Sequence, residues 1–417
     1  MFTTKPLFLI FFLWLIASLG FAGSNDGYIY GTITTIDDAK YTGQIRWGKE
    51  EAFWTDHMNV SKKENNTLQY LDEETLKELQ GCEPSSNSET SFLGVTLWKS
   101  NWSGYKRDLL HQFVCRFGDM SKIKVTGSHE ALITLRNGET VEVKGSGYND
   151  LGNEIRVFDE ELGLINVDWD RIQDIQFTAT PASFESKMGT PMTGEVFTNN
   201  GSFKGLIQWD KDERLSDDKL DGSSSDGKLS IPFGKITSIQ NSGSSATVTM
   251  RSGRELKLSG TNDVNGSNKG IVVTMENGLR IHVPWDEFEK VVYDEKGTHS
   301  GPAYGAFAKP TLLKGKLNTT QGDEMAGEIR YDLDEGFDFE FIQGKKDDIE
   351  YLIPIKLIKS ILPKNHEYSL VELKNGEKLL LGSSQDLGEK NQGVLVFQNS
   401  KNPDYVAWEN VEKITFD

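Results

Sequence analysis

Residues 282–293 read HVPWDEFEKVVY: the run alternates up to Trp285, and apolar residues then follow three apart at Phe288 and Val291. The same ending returns at Phe117/Met120/Ile123, Trp169/Ile172/Ile175, Phe233/Ile236/Ile239, Ile355/Ile358/Ile361 and Trp408/Val411/Ile414. Apolar residues three apart after a strand suit a single turn of 3₁₀ helix, which brings i and i+3 to one side. The acids beside Trp285 are not part of the pattern. Gly234 and Lys235 replace Asp286 and Glu287 in one copy, Lys356 and Leu357 in another. The phrase is therefore a packing device that closes a small core.

Working outward, two kinds of hairpin precede these endings. The first kind reads GYIYGTITTIDDAKYTGQIRW (27–47), TGEVFTNNGSFKGLIQW (193–209) and KGKLNTTQGDEMAGEIRY (314–331). The second reads ALITLRNGETVEVKG (131–145), ATVTMRSGRELKLSG (246–260) and SLVELKNGEKLLLG (369–382). Asn137-Gly138, Ser252-Gly253 and Asn375-Gly376 supply the positive backbone angles of a tight hairpin. The chain is thus three tandem pairs of units. An N-terminal segment (1–22) comes first, followed by pairs at 23–178, 193–293 and 311–417. Longer joins rich in Pro, Gly, Ala and Ser separate the pairs and read as linkers.

The first pair carries an insertion at about 62–110. Within it LDEETLKELQG (71–81) predicts a helix, with Asp72 as N-cap and Gly81 as the stop.

Four strands, a 3₁₀ turn and a fifth strand resemble the SH3-like or Sm-like small barrel. The phrase pattern also resembles repeats of uncharacterised bacterial cell-envelope proteins. These resemblances imply an all-β chain of six small barrels and export, with no assigned chemistry. The alternative architecture is a six-bladed propeller, whose blades run about 40–50 residues.

The N-terminus, MFTTKPLFLIFFLWLIASLGFAG, has one lysine, a short apolar run and small residues at Gly20 and Ala22. It reads as a secretory signal peptide, so the expected location is secreted or periplasmic, with no membrane span after cleavage. A formal net charge of −18 argues against nucleic acid and anionic membranes as partners. Cys82 and Cys115 are the two cysteines, and an oxidising compartment permits a disulfide between them.

The six histidines (57, 111, 129, 282, 299, 366) show no metal-ligand spacing. The acidic loops Asp210–Asp221 and Asp332–Asp338 offer oxygens that calcium could take, although neither has EF-hand spacing and a solvated hairpin tip explains both. No other cofactor is indicated. Asp150, Asp263 and Asp386 recur after the second-type hairpins, each followed by Asn153, Asn268 or Asn391. In Sm-like proteins an Asp and an Asn in this loop shape a nucleotide pocket. Capping of loop amides accounts for the same residues.

Repetition without a catalytic constellation points to a non-enzymatic binding or scaffolding surface for a protein or glycan. The candidate anchors are the aromatics Phe53, Trp54, Trp98 and Trp102 together with the three aspartates. The alternatives are a hydrolase using Asp72 or Glu73 in the insertion, and a structural spacer.

Overall fold

The computed structural model describes residues 25–417 except 82–89, 93–94, 99–111, 146–147, 149, 182–183, 296–299 and 400–401. The N-terminal apolar segment, Cys82 and Trp102 lie outside the described residues. The described chain is all-β with one α-helix, Glu73–Gly81. As expected, Asp72 caps that helix, its Oδ1 accepting from Thr75 N at 2.8 Å.

Each of the three pairs is a repeat of ten strands in one ladder. In the first repeat the order is Gly163–Val167, Ile155–Asp159, Lys40–Trp47, Tyr30–Thr35, Ile172–Phe177, Met120–Gly127, Glu130–Leu135, Thr140–Lys144, His57–Lys62, Gln112–Arg116. Strand pairing in the second and third repeats follows the same order. The two units of a pair are therefore interleaved, not consecutive. The first two strands and the last three make one half, and the middle five make the other.

This changes what the closing phrase does. Its 3₁₀ turn forms at Phe117–Asp119, Trp169–Arg171, Phe233–Lys235, Ile355–Leu357 and Trp408–Asn410. At Trp285 a hydrogen-bonded turn replaces it, with Glu287 N and Phe288 N both reaching Pro284 O. The strands that leave these turns then pair with one another. Ile123 faces Ile175, Ile239 faces Val291, and Ile361 faces Ile414. The six phrases thus act two by two, sealing the seam between the halves of a repeat. All six isoleucines and valines at these positions are fully buried.

Glycine permits the tight crossing of the first hairpin. A Cβ on Gly43 would lie 2.0 Å from Phe158 O, and on Gly205 2.2 Å from Thr274 O. Backbone approaches this close exclude a side chain.

The second and third repeats join edge to edge, with Ile281 opposite Tyr351 and His282 opposite Glu350. The segments read as linkers are packed. Phe184 is buried edge-to-face on Tyr30 at 5.3 Å, and Phe307 is buried in the first repeat's core under the Arg116 guanidinium. The strands Lys219–Ser224 and Gly227–Pro232 pair as a hairpin.

Candidate functional site

The three repeats meet through one loop that recurs in each: Trp47–Glu51, Trp209–Glu213 and Tyr331–Glu335. In each loop the backbone N–H of the aromatic residue donates to the glutamate carbonyl at 2.9 Å. The left-handed turn is supplied by Gly48, by Asp210 and Lys211, and by Asp332 and Leu333. Just beyond, one carboxylate oxygen accepts two consecutive backbone N–H groups. Asp56 takes those of Ala52 and Phe53, Asp218 those of Arg214 and Leu215, and Glu340 those of Gly336 and Phe337.

Each of these carboxylates is also met by a cation from another repeat. Arg46 forks onto Asp218 with both contacts at 2.8 Å, Arg214 reaches Asp56, and Lys62 reaches Glu340 at 3.0 Å and Asp334 at 2.8 Å. These pairs lie in the interior, with the Arg214 side chain 1% and that of Asp56 3% exposed. Arg116 and Asp119 form a further buried fork. His57, 1% exposed, lies against Phe341 at 4.6 Å, and neither ring nitrogen has a hydrogen-bond partner. Burial, with Arg280, Arg116 and Arg214 nearby, holds it well below the usual imidazole range, so it is neutral.

The three recurring aspartates are brought into this loop system. Asp150 Oδ2 accepts Asn59 N at 2.5 Å, Asp263 Oδ2 accepts Asp221 N at 2.6 Å, and Asp386 Oδ2 accepts Gln343 N at 2.7 Å. Their carbonyls accept from the loop aromatics: Trp47 Nε1 at 2.7 Å, Trp209 Nε1 at 3.0 Å and the Tyr331 hydroxyl. Asn268 and Asn391 brace the same loops, donating to the Asp263 and Asp386 carbonyls. Each of the three aspartates thus holds a backbone N–H through one of its carboxylate oxygens.

Each aspartate also faces the loop glutamate. Burial pushes Asp150 and Asp263 up to about 6 and Asp386 up to about 7. Burial, followed by the facing aspartate, lifts Glu51 and Glu335 well above the usual range and Glu213 to about 9. Glu213 Oε2 and Glu335 Oε2 have no hydrogen-bond partner. The first loop brings Glu50, Glu51 and Asp150 together, with a ligand oxygen of each within 4.8 Å of the others.

A raised carboxyl stabilises the fold below its unfolded value and loses that contribution as pH rises through its folded value. Glu213 is the clearest case. On going from pH 5 to pH 8, Glu213→Gln should gain about 1–3 kcal/mol of stability relative to the parent chain. Urea midpoints of both proteins at the two pH values check this, and a pH-independent difference contradicts it.

Phe53 and Trp54 are 1% and 0% exposed, so they are core residues and not surface anchors. Trp54 packs on Tyr304 at 4.5 Å and Phe53 on Tyr28 at 5.0 Å. Trp98 ends the strand Val95–Trp98 in the insertion. The Cys115 thiol is buried and raised by that burial, while the proposed partner Cys82 is not among the described residues. Asp72 is fixed by its cap, and its backbone hydrogen bonds lower its pKa, the reverse of what a general acid needs.

Sequence reasoning missed a groove of about 1020 Å³ around the Trp285 turn. It lies over the strands Thr193–Thr198, Ile236–Asn241 and Phe288–Tyr293, where Lys290 stands opposite both Phe197 and Gln240. Gln240, Asp286, Glu289 and Val292 are exposed on it. Asn241 builds its wall, donating to the Trp285 and Phe288 carbonyls at 3.0 and 2.9 Å. The available signal was the three acids Asp286, Glu287 and Glu289 after Trp285, where the Trp169 and Trp408 phrases carry two each and the other three at most one.

No family model matches the chain, and no curated protein matches it. Among solved structures, virginiamycin B lyase from Staphylococcus aureus aligns at 11% identity over 72% of this chain and 94% of that one, with a TM-score of 0.11. That superposition is too poor to bear on the fold. No helix among the described residues is long and apolar enough to cross a membrane.

Proposed function

We propose that this chain is an exported, non-enzymatic β-repeat protein that presents the Trp285 groove to a basic segment of a partner protein. The groove carries this reading. Its exposed ionic groups are Asp286 and Glu289 against the half-buried Lys290, on a chain of net charge −18. An acidic groove with exposed apolar surface at Val292 suits a lysine- or arginine-bearing strand whose stems pack while their charges pair. The short apolar N-terminal run supports export. The five-strand halves of each repeat support the reading of small open barrels, because the ladder runs through ten strands without dividing into four-stranded blades.

The test is fluorescence anisotropy of the full chain with labelled lysine-rich, neutral and acidic peptides, and a neutral oligosaccharide series. The lysine-rich peptides should bind saturably and more weakly at high salt. Asp286→Lys/Glu289→Lys should weaken that binding about tenfold or more, since each reversal replaces attraction with repulsion. Binding of the oligosaccharides alone, or equal binding by the double variant, would overturn the proposal.

A further inference from the structure

We propose that Glu50, Glu51 and Asp150 form a binding site for a hard divalent cation, calcium foremost, at the seam between the first and second repeats. The site is independent of the groove.

The donor set is all carboxylate, which suits calcium and magnesium over softer metals. Oxygens on opposite sides of a calcium ion stand about 4.6–5.2 Å apart, twice the usual bond length. The three ligand oxygens here all lie within 4.8 Å of one another, inside that span. Asp150 is held in place by Asn59, whose backbone and side-chain nitrogens both donate to Oδ2. Trp47 fixes the loop from the other side through the Asp150 carbonyl.

Glu51 points to a ligand by itself. It is 8% exposed, and no hydrogen bond or ion pair holds its carboxylate, yet it is aimed into the cluster. A buried carboxylate without a partner demands either a proton or a cation.

Comparison of the three loops shows why the first is the site. The residue before the loop glutamate is Glu50, Asp212 or Asp334. Asp212 is met by Lys269 at 3.2 Å and Asp334 by Lys62 at 2.8 Å. Glu50 meets no lysine ammonium at that range, and burial, followed by the nearby Asp150 and Asp212 carboxylates, pushes it up to about 7. A fourth carboxylate thus borders the cluster.

The other charged groups facing the cluster are Arg280, Lys269 and Asp56. Arg280 favours the ionised forms of Glu51 and Asp150, and Lys269 that of Glu50. Arg280 is itself tied to Gln208 Oε1 at 3.0 Å. Protons compete for the same oxygens, so affinity falls as pH drops from 8 to 5.

The experiment uses the chelator-treated full chain. Terbium luminescence is excited through tryptophan, with Trp47 as the adjacent donor, and calcium is titrated by calorimetry and thermal unfolding. One saturable site is expected, with calcium displacing terbium and raising the unfolding temperature. Glu51→Gln should lose about tenfold or more in affinity by removing a ligand charge. Asp226→Asn, on an exposed hairpin tip, should bind as the parent does. Should Glu51→Gln fold poorly, the half-buried Glu50→Gln gives the same reading. Absence of saturable calcium uptake at pH 8, or equal affinity in the ligand and control variants, overturns the proposal.

Discussion

Replacing Arg214 with alanine is expected to lower the stability of the chain by about 3–5 kcal/mol, the usual cost of removing one member of a buried ion pair. Arg214 is 1% exposed, its guanidinium reaches Asp56 in the first repeat, and it lies 5.3 Å over the Phe53 ring. Truncation leaves Asp56 charged and buried with only the backbone amides of Ala52 and Phe53, and it opens a void beside Phe53. Chemical denaturation of the variant checks the magnitude. The exposed pair Arg171–Asp37, with side chains 47% and 69% exposed, is the control. Arg171→Ala should cost about 0–1 kcal/mol, because water screens that pair and the side-chain entropy is regained. Equal losses in the two variants would mean that the seam between repeats is not held by its buried charges.

Much of the repeat architecture was legible. The NG and SG dipeptides marked hairpins because positive φ is required there, and Gly138, Gly253 and Gly376 all adopt it. The steps of three fixed five 3₁₀ turns, since only i and i+3 face together in that geometry. Asp72 was readable as a cap because capping is local. What was not legible is which strand pairs with which. Hairpin Tyr30–Trp47 closes on Ile155–Phe177, more than a hundred residues away, and nothing local distinguishes that partner from the nearer strand at 120.

The site suffered from the same limit. Phe53 and Trp54 looked like surface anchors because an aromatic pair in a loop is ambiguous until its cover is known. Their cover comes from Tyr28, from Tyr304 and from Arg214 of the next repeat. The acidic loops at 210 and 332 drew notice through their aspartates, whereas Gly48-Lys49-Glu50-Glu51 did not. Its third carboxylate, Asp150, arrives from a hundred residues downstream. Charge density along the sequence therefore pointed to the two loops whose acids Lys269 and Lys62 already meet, and away from the one in which no lysine among the described residues pairs with Glu50.

The repeats also supply their own substitution experiment at the loop aromatic. Trp209 is fully buried, packs edge-to-face on Trp285 and Phe288 at 6.1 and 5.3 Å, and donates to the Asp263 carbonyl. Trp209→Ala should cost about 3–5 kcal/mol, the transfer and cavity terms of a large core aromatic. It also leaves the Asp263 carbonyl without its indole donor. Trp209→Tyr should cost far less, about 1–2 kcal/mol, because the third repeat already carries Tyr331 here with its hydroxyl on the Asp386 carbonyl. Trp209→Phe separates the two contributions. It keeps a ring but no donor, so it should fall below Trp209→Tyr by about 1 kcal/mol, the worth of one buried hydrogen bond. Thermal or urea unfolding of the three variants gives the order tyrosine, phenylalanine, alanine from most to least stable. A phenylalanine variant as stable as the tyrosine one would show that the aromatic acts by packing alone. The aspartate loop would then be positioned by the Asp263 carboxylate and the backbone N–H of Asp221.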